Sequence, residues 1–163
     1  MVKGDNIKMI FESERCYIRR FTDNDIDDFI LYRNNPEWMR FQGFQGLSKR
    51  EYEEILLEEP VIENGAQFAI ISKSNHDLIG DVFIKKEEDT FWIGYTVSPS
   101  VKRQGYAYEV VTSMILWIKQ QGEFTIKAGT VPENISSVRL LEKAGFLKSD
   151  EDNGELIYSL QQE

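Results

Sequence analysis

The segment Tyr106–Gln121 most strongly limits what this chain can fold into, because as a helix it is apolar on most of its sides. A helix with so few polar positions is stable only when it is largely buried. Its longest apolar run, Val110–Ile118, is interrupted by Thr112 and Ser113 and is far shorter than the ~20 apolar residues that a membrane span needs. We therefore expect a buried helix of a globular domain, which ends at Gly122.

Strands are expected on both sides of this helix. Alternating or short apolar runs bounded by turn residues predict seven of them. They are Arg15–Phe21, Gln67–Ser72, Leu78–Ile84, Phe91–Val97, Phe124–Val131, Phe146–Ser149 and Leu156–Leu160. Asn153-Gly154 is a strong hairpin signal between the last two. Gly80 and Gly94, inside strands, suggest bulges or a close approach of two backbones.

Three further helices are marked by their N-terminal capping residues. Thr22 with Asp25 begins a helix over Asp25–Arg33, and Ser48 with Glu51 begins one that reaches about Glu58. Asn134 begins the last helix, Asn134–Ala144. The order β-α-α-β-β-β-α-β-α-β-β, with no linker or repeat in residues 1–163, predicts a single α/β domain with a mixed sheet and helices on both faces.

Composition excludes several classes of function. The net charge of −9 argues against general nucleic-acid binding, which needs clustered cations. It is compatible with a cationic substrate, although acidity also favours solubility in general. Cys16 is the only cysteine, so neither an intrachain disulfide nor a Cys/His metal cluster is expected. The polar segment Met1–Lys8 has no signal-peptide core, so we expect a cytoplasmic protein that is not membrane-bound.

The loop between the fourth predicted strand and the apolar helix has the features of an anion site. Lys102 and Arg103 supply positive charge, and Gly105 lets the backbone approach a ligand without a Cβ in the way. Unpaired N–H groups and the macrodipole at a helix start favour a phosphate or pyrophosphate. The loop matches neither the Walker A nor the dinucleotide-binding glycine pattern. Taken alone, it fits an ordinary strand-to-helix turn equally well.

Two segments together resemble the GNAT superfamily of acyl-CoA-dependent N-acetyltransferases. Lys102–Ala107 matches that family's cofactor loop at Gly105 and Ala107, with Lys102 in place of the usual Gln or Arg. Asn134–Phe146 matches its Asn-x-x-Ser and Glu-Lys-x-Gly-Phe pattern. The resemblance covers essentially the whole chain and is strongest to the branch that acetylates ribosomal-protein N-termini. It implies a GNAT-like fold in which the fourth and fifth strands splay apart.

The resemblance also implies a function and a set of site residues. The expected reaction moves an acetyl group from acetyl-CoA to a primary amine of a protein N-terminus, an amino acid or a small amine, without a metal. The chain is expected to act as a monomer or homodimer, and the alternative is a CoA-binding regulatory module without catalysis. The expected cofactor-binding residues are Thr96 and Val97 through their backbones, Lys102, Arg103, Gln104, Gly105, Tyr106, Ala107, Asn134 and Ser137.

The catalytic groups are less well defined by the resemblance. In many relatives a Tyr acts as the general acid at the position where this chain has Leu141. Ser137 therefore becomes the candidate general acid. The alternative is that Ser137 is only a helix residue with a local hydrogen bond. No general base is assigned among Asp81, Glu87 and Tyr95, for which a solvated sheet face or aromatic packing is the commoner explanation. Three aromatic residues are expected either to cover the acceptor as a lid or to cap the core: Trp38, Phe41 and Phe44.

Overall fold

A computed structural model describes residues 9–161 and contains a single eight-stranded sheet within that range. The strands lie in the order β1-β2-β3-β4-β5-β6-β8-β7. All neighbours are antiparallel except β5 and β6, which are parallel. The strands are β1 (Met9–Glu12), β2 (Cys16–Arg19), β3 (Ala66–Ser72), β4 (Leu78–Glu87), β5 (Thr90–Val97), β6 (Thr125–Thr130), β7 (Leu147–Asp152) and β8 (Glu155–Leu160). The mixed α/β fold is thus confirmed.

The four α-helices of the described chain begin within one residue of their predicted starts. They are α1 (Ile26–Arg33), α2 (Lys49–Leu56), α3 (Tyr106–Lys119) and α4 (Ile135–Lys143). Ser48 accepts a hydrogen bond from the Glu51 N–H at 3.2 Å, and Glu51 Oε1 accepts one from the Ser48 N–H at 2.9 Å. A short 3-10 turn, Asp23–Asp25, precedes α1, so that helix starts one residue later than predicted.

The sheet separates two hydrophobic clusters. Helices α3 and α4 cover one face, where Val110, Met114 and Leu141 are fully buried. Helices α1 and α2 cover the other face, where Phe29 and Tyr52 are fully buried. The prediction that the apolar helix is largely buried is therefore confirmed. Within residues 9–161, no helix is long and apolar enough to span a bilayer.

One strand is absent from the sequence-based prediction. β1 pairs with β2 at the edge of the sheet, and its Phe11 ring stacks on Trp117 at a centroid distance of 5.7 Å. Its four residues Met-Ile-Phe-Glu are too few to display a strand period, so only the packing of Phe11 identifies the strand. Residues 1–8, on which the absence of a signal peptide rests, lie outside the described part of the chain.

The parallel strands β5 and β6 part after three residue pairs. Their pairing joins Thr90–Trp92 with Thr125–Lys127, and beyond it β6 pairs with β8 alone. The splay expected between the fourth and fifth predicted strands is therefore present. It opens the sheet at the ends of the strands that lead into α3 and α4, where β5 still pairs with β4 but no longer with β6.

Burial of Cys16 makes the stability of the fold sensitive to alkali. Burial raises the pKa of the thiol from 9.0 to about 11. Between these values the unfolded chain loses the proton and the folded chain keeps it, so stability falls as pH rises from about 9 to about 11. We expect Cys16→Ala to flatten the decline of the melting temperature over this window. An equal decline in both proteins, measured side by side from pH 8 to 11, would contradict this assignment.

Candidate active site

The hydrogen-bond register of β5 determines which backbone groups face the gap. Ser98 donates its N–H to the Ile79 carbonyl of β4 at 2.7 Å, and backbone groups alternate along an antiparallel strand. Thr96 therefore directs its backbone at Asp81 of β4, while Tyr95 and Val97 direct theirs at the gap. The expected Thr96 backbone contact with a ligand conflicts with this register, because the β4 ladder already uses the Thr96 groups, whereas those of Tyr95 and Val97 face the gap.

A run of unpaired N–H groups follows β5. The backbone N–H groups of residues 103–108 have no acceptor among the described residues. Gly105 caps α3 with φ +81°, and Arg103 also has a positive φ of 62°. This backbone turn points successive N–H groups to one side at the start of α3, an arrangement that binds phosphate oxygens. The side chains of Lys102 and Arg103 are exposed beside it.

Arg15 braces this loop, a contact that sequence reasoning missed. Its Nε donates to Glu109 Oε1 at 2.6 Å, and one terminal nitrogen donates to the Gln104 carbonyl at 3.0 Å. Its guanidinium also lies 4.0 Å from the centre of the Tyr106 ring. Burial raises the pKa of Glu109, but hydrogen bonds from Ser13 and Arg15 outweigh this effect, and the net pKa is lowered. The charged pair ties the loop and α3 to β2.

Ser137 and Tyr95 form a hydrogen-bonded pair beside the gap. Their hydroxyl oxygens lie 2.7 Å apart, and the Ser137 N–H donates to Asn134 Oδ1 at 3.3 Å. Asn134 therefore caps α4 as predicted. Burial raises the pKa of Tyr95 to about 12, so its hydroxyl stays protonated near neutral pH. The pair holds two exchangeable protons at the mouth of the gap.

Two cavities meet at this pair. One, of about 570 Å³, lies between the α3 loop, the start of α4 and residues 38–42, and its charged lining residues are Arg40, Lys102, Arg103 and Glu133. The other, of about 740 Å³, lies under α2 and carries Glu54, Glu58 and Glu59 in its lining. We call them the cationic cavity and the acidic cavity. Both are lined by Gln42, Tyr95 and Thr96, which define their junction.

A buried ion pair forms the wall of the acidic cavity. Arg33 lies 2.6 Å from Asp81 Oδ1, and the exposed fractions of the two side chains are 4% and 1%. Tyr32 and Gln67 also donate to Asp81, at 2.5 and 3.1 Å. Burial by itself lowers the pKa of the Arg33 guanidinium. The interaction with Asp81 has a larger effect in the opposite direction, so the net pKa is raised. Asp81 is thus not on a solvated sheet face, and three donors occupy its two oxygens.

The predicted aromatic group is divided between the two cavities. Trp38 and Phe41 line the cationic cavity, and the indole N–H of Trp38 donates to the Val97 carbonyl at 2.9 Å. Phe44 alone lines the acidic cavity, and it packs against Phe29 in the core. Trp38 and Phe44 thus also pack against the core, and a lid over the acceptor stays a prediction.

The remaining candidates lie outside the site. Glu87 is occupied at the far end of β4, where it accepts from Trp92 Nε1 at 3.1 Å and pairs with Lys85. His76 lies in an exposed turn. Among residues 9–161, no group of three or more His, Cys, Asp or Glu side chains is arranged to hold a metal ion.

The mixed sheet opens beside a helix start with unpaired N–H groups, and a second cavity lies across the opening, which is the arrangement expected of a GNAT-like acyltransferase fold. The sequence model described as "Acetyltransferase (GNAT) domain" matches residues 15–147. The chain therefore belongs to the GNAT acetyltransferase family.

Individual relatives agree with this family assignment. The uncharacterized N-acetyltransferase YoaA of Bacillus subtilis is 26% identical over 147 residues, covering 85% of this chain and 83% of its own. A GNAT-family acetyltransferase structure from Bacillus anthracis superposes with a TM-score of 0.81 at 21% identity, covering 93% of this chain and 97% of that one. RimL, a ribosomal-protein α-N-acetyltransferase solved with coenzyme A, gives 0.76 at 13% identity, with coverage of 94% and 98%. The likeness to the ribosomal-protein branch is confirmed at the level of the fold.

Proposed function

We propose that this chain transfers an acetyl group from acetyl-CoA to a primary amine by direct attack. The observation that carries the proposal is the junction of the two cavities at Gln42, Tyr95 and Thr96. One cavity combines unpaired backbone N–H groups with cationic side chains and suits an anionic donor. The other carries three glutamates, of which Glu54 and Glu59 also pair with arginines outside the cavity, while Glu58 has no ion pair among the described residues, so this cavity suits a cationic acceptor. The positive charge of the first cavity is opposite in sign to the net charge of the whole chain, which is −9.

The cationic cavity fits CoA through backbone groups more than through side chains. The N–H groups of Arg103–Ala107 bind the pyrophosphate, and Lys102 adds charge. Tyr95 and Val97 offer backbone groups to the pantetheine amides across the gap, although Trp38 already donates to the Val97 carbonyl. Asn134 contacts the pantetheine arm, and Ser137 faces the thioester end. RimL, whose fold is similar, was solved with coenzyme A.

The chemistry requires two proton transfers. Acetyl-CoA supplies the activated acyl group, and the chain orients it. The attacking amine must be neutral and must lose one proton, for which we assign no side chain as the base. The departing sulfur gains a proton from the Ser137 hydroxyl, which is in contact with the protonated Tyr95. Ser137 regains a proton from solvent, and solvent receives the proton that the amine loses, so the two transfers balance. The acceptor is an amine of a protein N-terminus, an amino acid or a small molecule.

A thermal-shift measurement followed by an assay of thiol release tests this function. At 1 mM acetyl-CoA we expect the melting temperature to rise, because the ligand binds only the folded chain. Thiol release should then accelerate when an amine is added. No shift at this concentration would contradict the CoA site. A shift without thiol release, across spermidine, free amino acids and peptides with a free N-terminus, would favour a non-catalytic CoA-binding module.

The role of Ser137 gives a separate prediction. We expect Ser137→Ala to lower kcat by about a hundredfold while the affinity for CoA stays the same, since a positioned acid contributes about 10²- to 10⁴-fold. The matched control is Ser113→Ala in α3, where the side chain has no hydrogen bond to other described residues. An unchanged kcat in Ser137→Ala, measured by thiol release with saturating acetyl-CoA, would leave Ser137 as a helix residue only.

A further inference from the structure

We propose that Gln42 positions the acceptor amine, with its side-chain oxygen Oε1 accepting a hydrogen bond from the amine N–H. The inference rests on the proposed function and adds a residue that sequence reasoning did not select. Gln42 lies in the segment between α1 and α2 and lines both the cationic and the acidic cavity. It therefore lies where an acyl donor and an amine acceptor meet.

Of the three residues that line both cavities, Gln42 is the one whose side-chain polar group has no hydrogen-bond partner among the described residues. The Tyr95 hydroxyl is bonded to Ser137 at 2.7 Å, and Thr96 Oγ1 accepts from Arg33 at 3.2 Å. The Gln42 backbone is also bonded, through its N–H to Met39 and its carbonyl to Gln45. Its side-chain amide has no hydrogen-bond partner within residues 9–161. A half-buried amide without a partner beside two cavities is available to a ligand.

The segment that carries Gln42 is held in place by side chains on either side of it. Arg33 donates to the Phe44 carbonyl at 2.9 Å. Gln45 Nε2 donates to the Met39 carbonyl at 2.7 Å and to the Gln42 carbonyl at 2.6 Å. The backbone on both sides of Gln42 is thus fixed, while its side chain is free to turn towards a ligand. Such an arrangement lowers the entropic cost of orienting a substrate.

The chemistry of a carboxamide suits this role. A neutral primary amine has two N–H donors and one lone pair, and the lone pair must point at the thioester carbon. When Oε1 accepts one N–H, the rotation of the amine is restricted and its lone pair is directed along the junction. A carboxamide does not take up a proton near neutral pH, so Gln42 orients the amine without acting as the base.

Three variants test this inference with spermidine, a peptide with an N-terminal Ser and free alanine as acceptor probes. Gln42→Ala removes the amide, and Gln42→Glu replaces it by a carboxylate of nearly equal size. Gln120→Ala is the matched control, because Gln120 is exposed at the C-terminal end of α3. All three proteins are first compared by thermal melting and by their affinity for CoA, which detects a general loss of structure.

We expect Gln42→Ala to reduce kcat/KM for the amine by about fivefold to tenfold, consistent with the loss of one hydrogen bond, with unchanged CoA affinity. Gln42→Glu should shift the pH profile of kcat upwards, because in the complex a carboxylate stabilises the protonated ammonium of the bound amine and raises its pKa. The control should match the wild type.

Any other result contradicts either the role of Gln42 or the proposed function. A kcat/KM in Gln42→Ala equal to that of the control would overturn the role of Gln42 alone. An unshifted pH profile in Gln42→Glu, or a loss in Gln42→Ala explained by weaker CoA binding, would do the same. No thiol release by the wild type with any of the three probes would reject the proposed function, and the inference with it.

Discussion

Replacing Gly105 by glutamate is expected to weaken CoA binding by about a thousandfold, because a like charge placed against a bound anion costs several kcal/mol. Gly105 caps α3 with φ +81° at the centre of the unpaired N–H groups of residues 103–108. A side chain there adds bulk and negative charge where the pyrophosphate binds. The measurement is calorimetric titration with CoA, together with the thermal shift at 1 mM CoA.

The control for this variant is Gly154→Glu. Gly154 has nearly the same backbone angle, φ +84°, in the turn between β7 and β8, and its Cβ would meet no atom within 4 Å. Both substitutions place a side chain in the left-handed region, at a cost of about 1–2 kcal/mol in stability. Only Gly105→Glu should lose CoA. Equal affinity in the two variants would show that the pyrophosphate does not bind at this turn.

Asp81→Asn is expected to destabilise the fold by about 3–5 kcal/mol, because it leaves a buried guanidinium without a counter-charge. Arg33 has an exposed side-chain fraction of only 4%, and within residues 9–161 its contact with Asp81 at 2.6 Å is its one ion pair. For a domain of this size the loss corresponds to a fall of roughly 6–20 °C in melting temperature. Urea unfolding and thermal melting at pH 7 measure the change.

The comparison for Asp81→Asn is Glu151→Gln in the exposed pair with Lys148. That pair is 3.1 Å apart, with exposed side-chain fractions of 48% and 60%. An exposed pair contributes about 0–1 kcal/mol, so Glu151→Gln should melt close to the wild type. If the two variants lost equal stability, the Arg33–Asp81 pair would not be the buried support of the acidic cavity.

The ion pair also explains why no base is assigned. Asp81 was a sequence candidate because it lies on a central strand, and it does line the acidic cavity. Its two oxygens accept from Arg33, Tyr32 and Gln67. Burial raises the pKa of Tyr32 well above its usual value, which keeps that hydroxyl a donor. The network therefore holds α1 against β4 and β5, and any loss of activity in Asp81→Asn should accompany its loss of stability.

Local signals in the sequence predicted most elements of the fold. The capping residues Thr22, Ser48 and Asn134 mark the starts of three helices, because a side-chain oxygen beside the first turn is a short-range requirement. Gly80 was expected to mark a bulge or a close approach, and a Cβ there would lie 2.3 Å from the Thr96 carbonyl oxygen. β1 escaped prediction because its four residues show no period, and its place depends on Phe11 meeting Trp117.

By itself, the sequence determined the order of the elements from β2 onwards, the glycine turn at the start of α3 and the resemblance to GNAT enzymes, since each depends on residues close together in the chain. Only the tertiary structure decided the partners of Arg15, Asp81 and Tyr95. The contacts Arg15–Glu109, Arg33–Asp81 and Tyr95–Ser137 join residues 94, 48 and 42 positions apart. The position of Gln42 between the two cavities likewise follows only from the tertiary structure. Such contacts depend on how sheet and helices pack, and no local pattern of residue types encodes them.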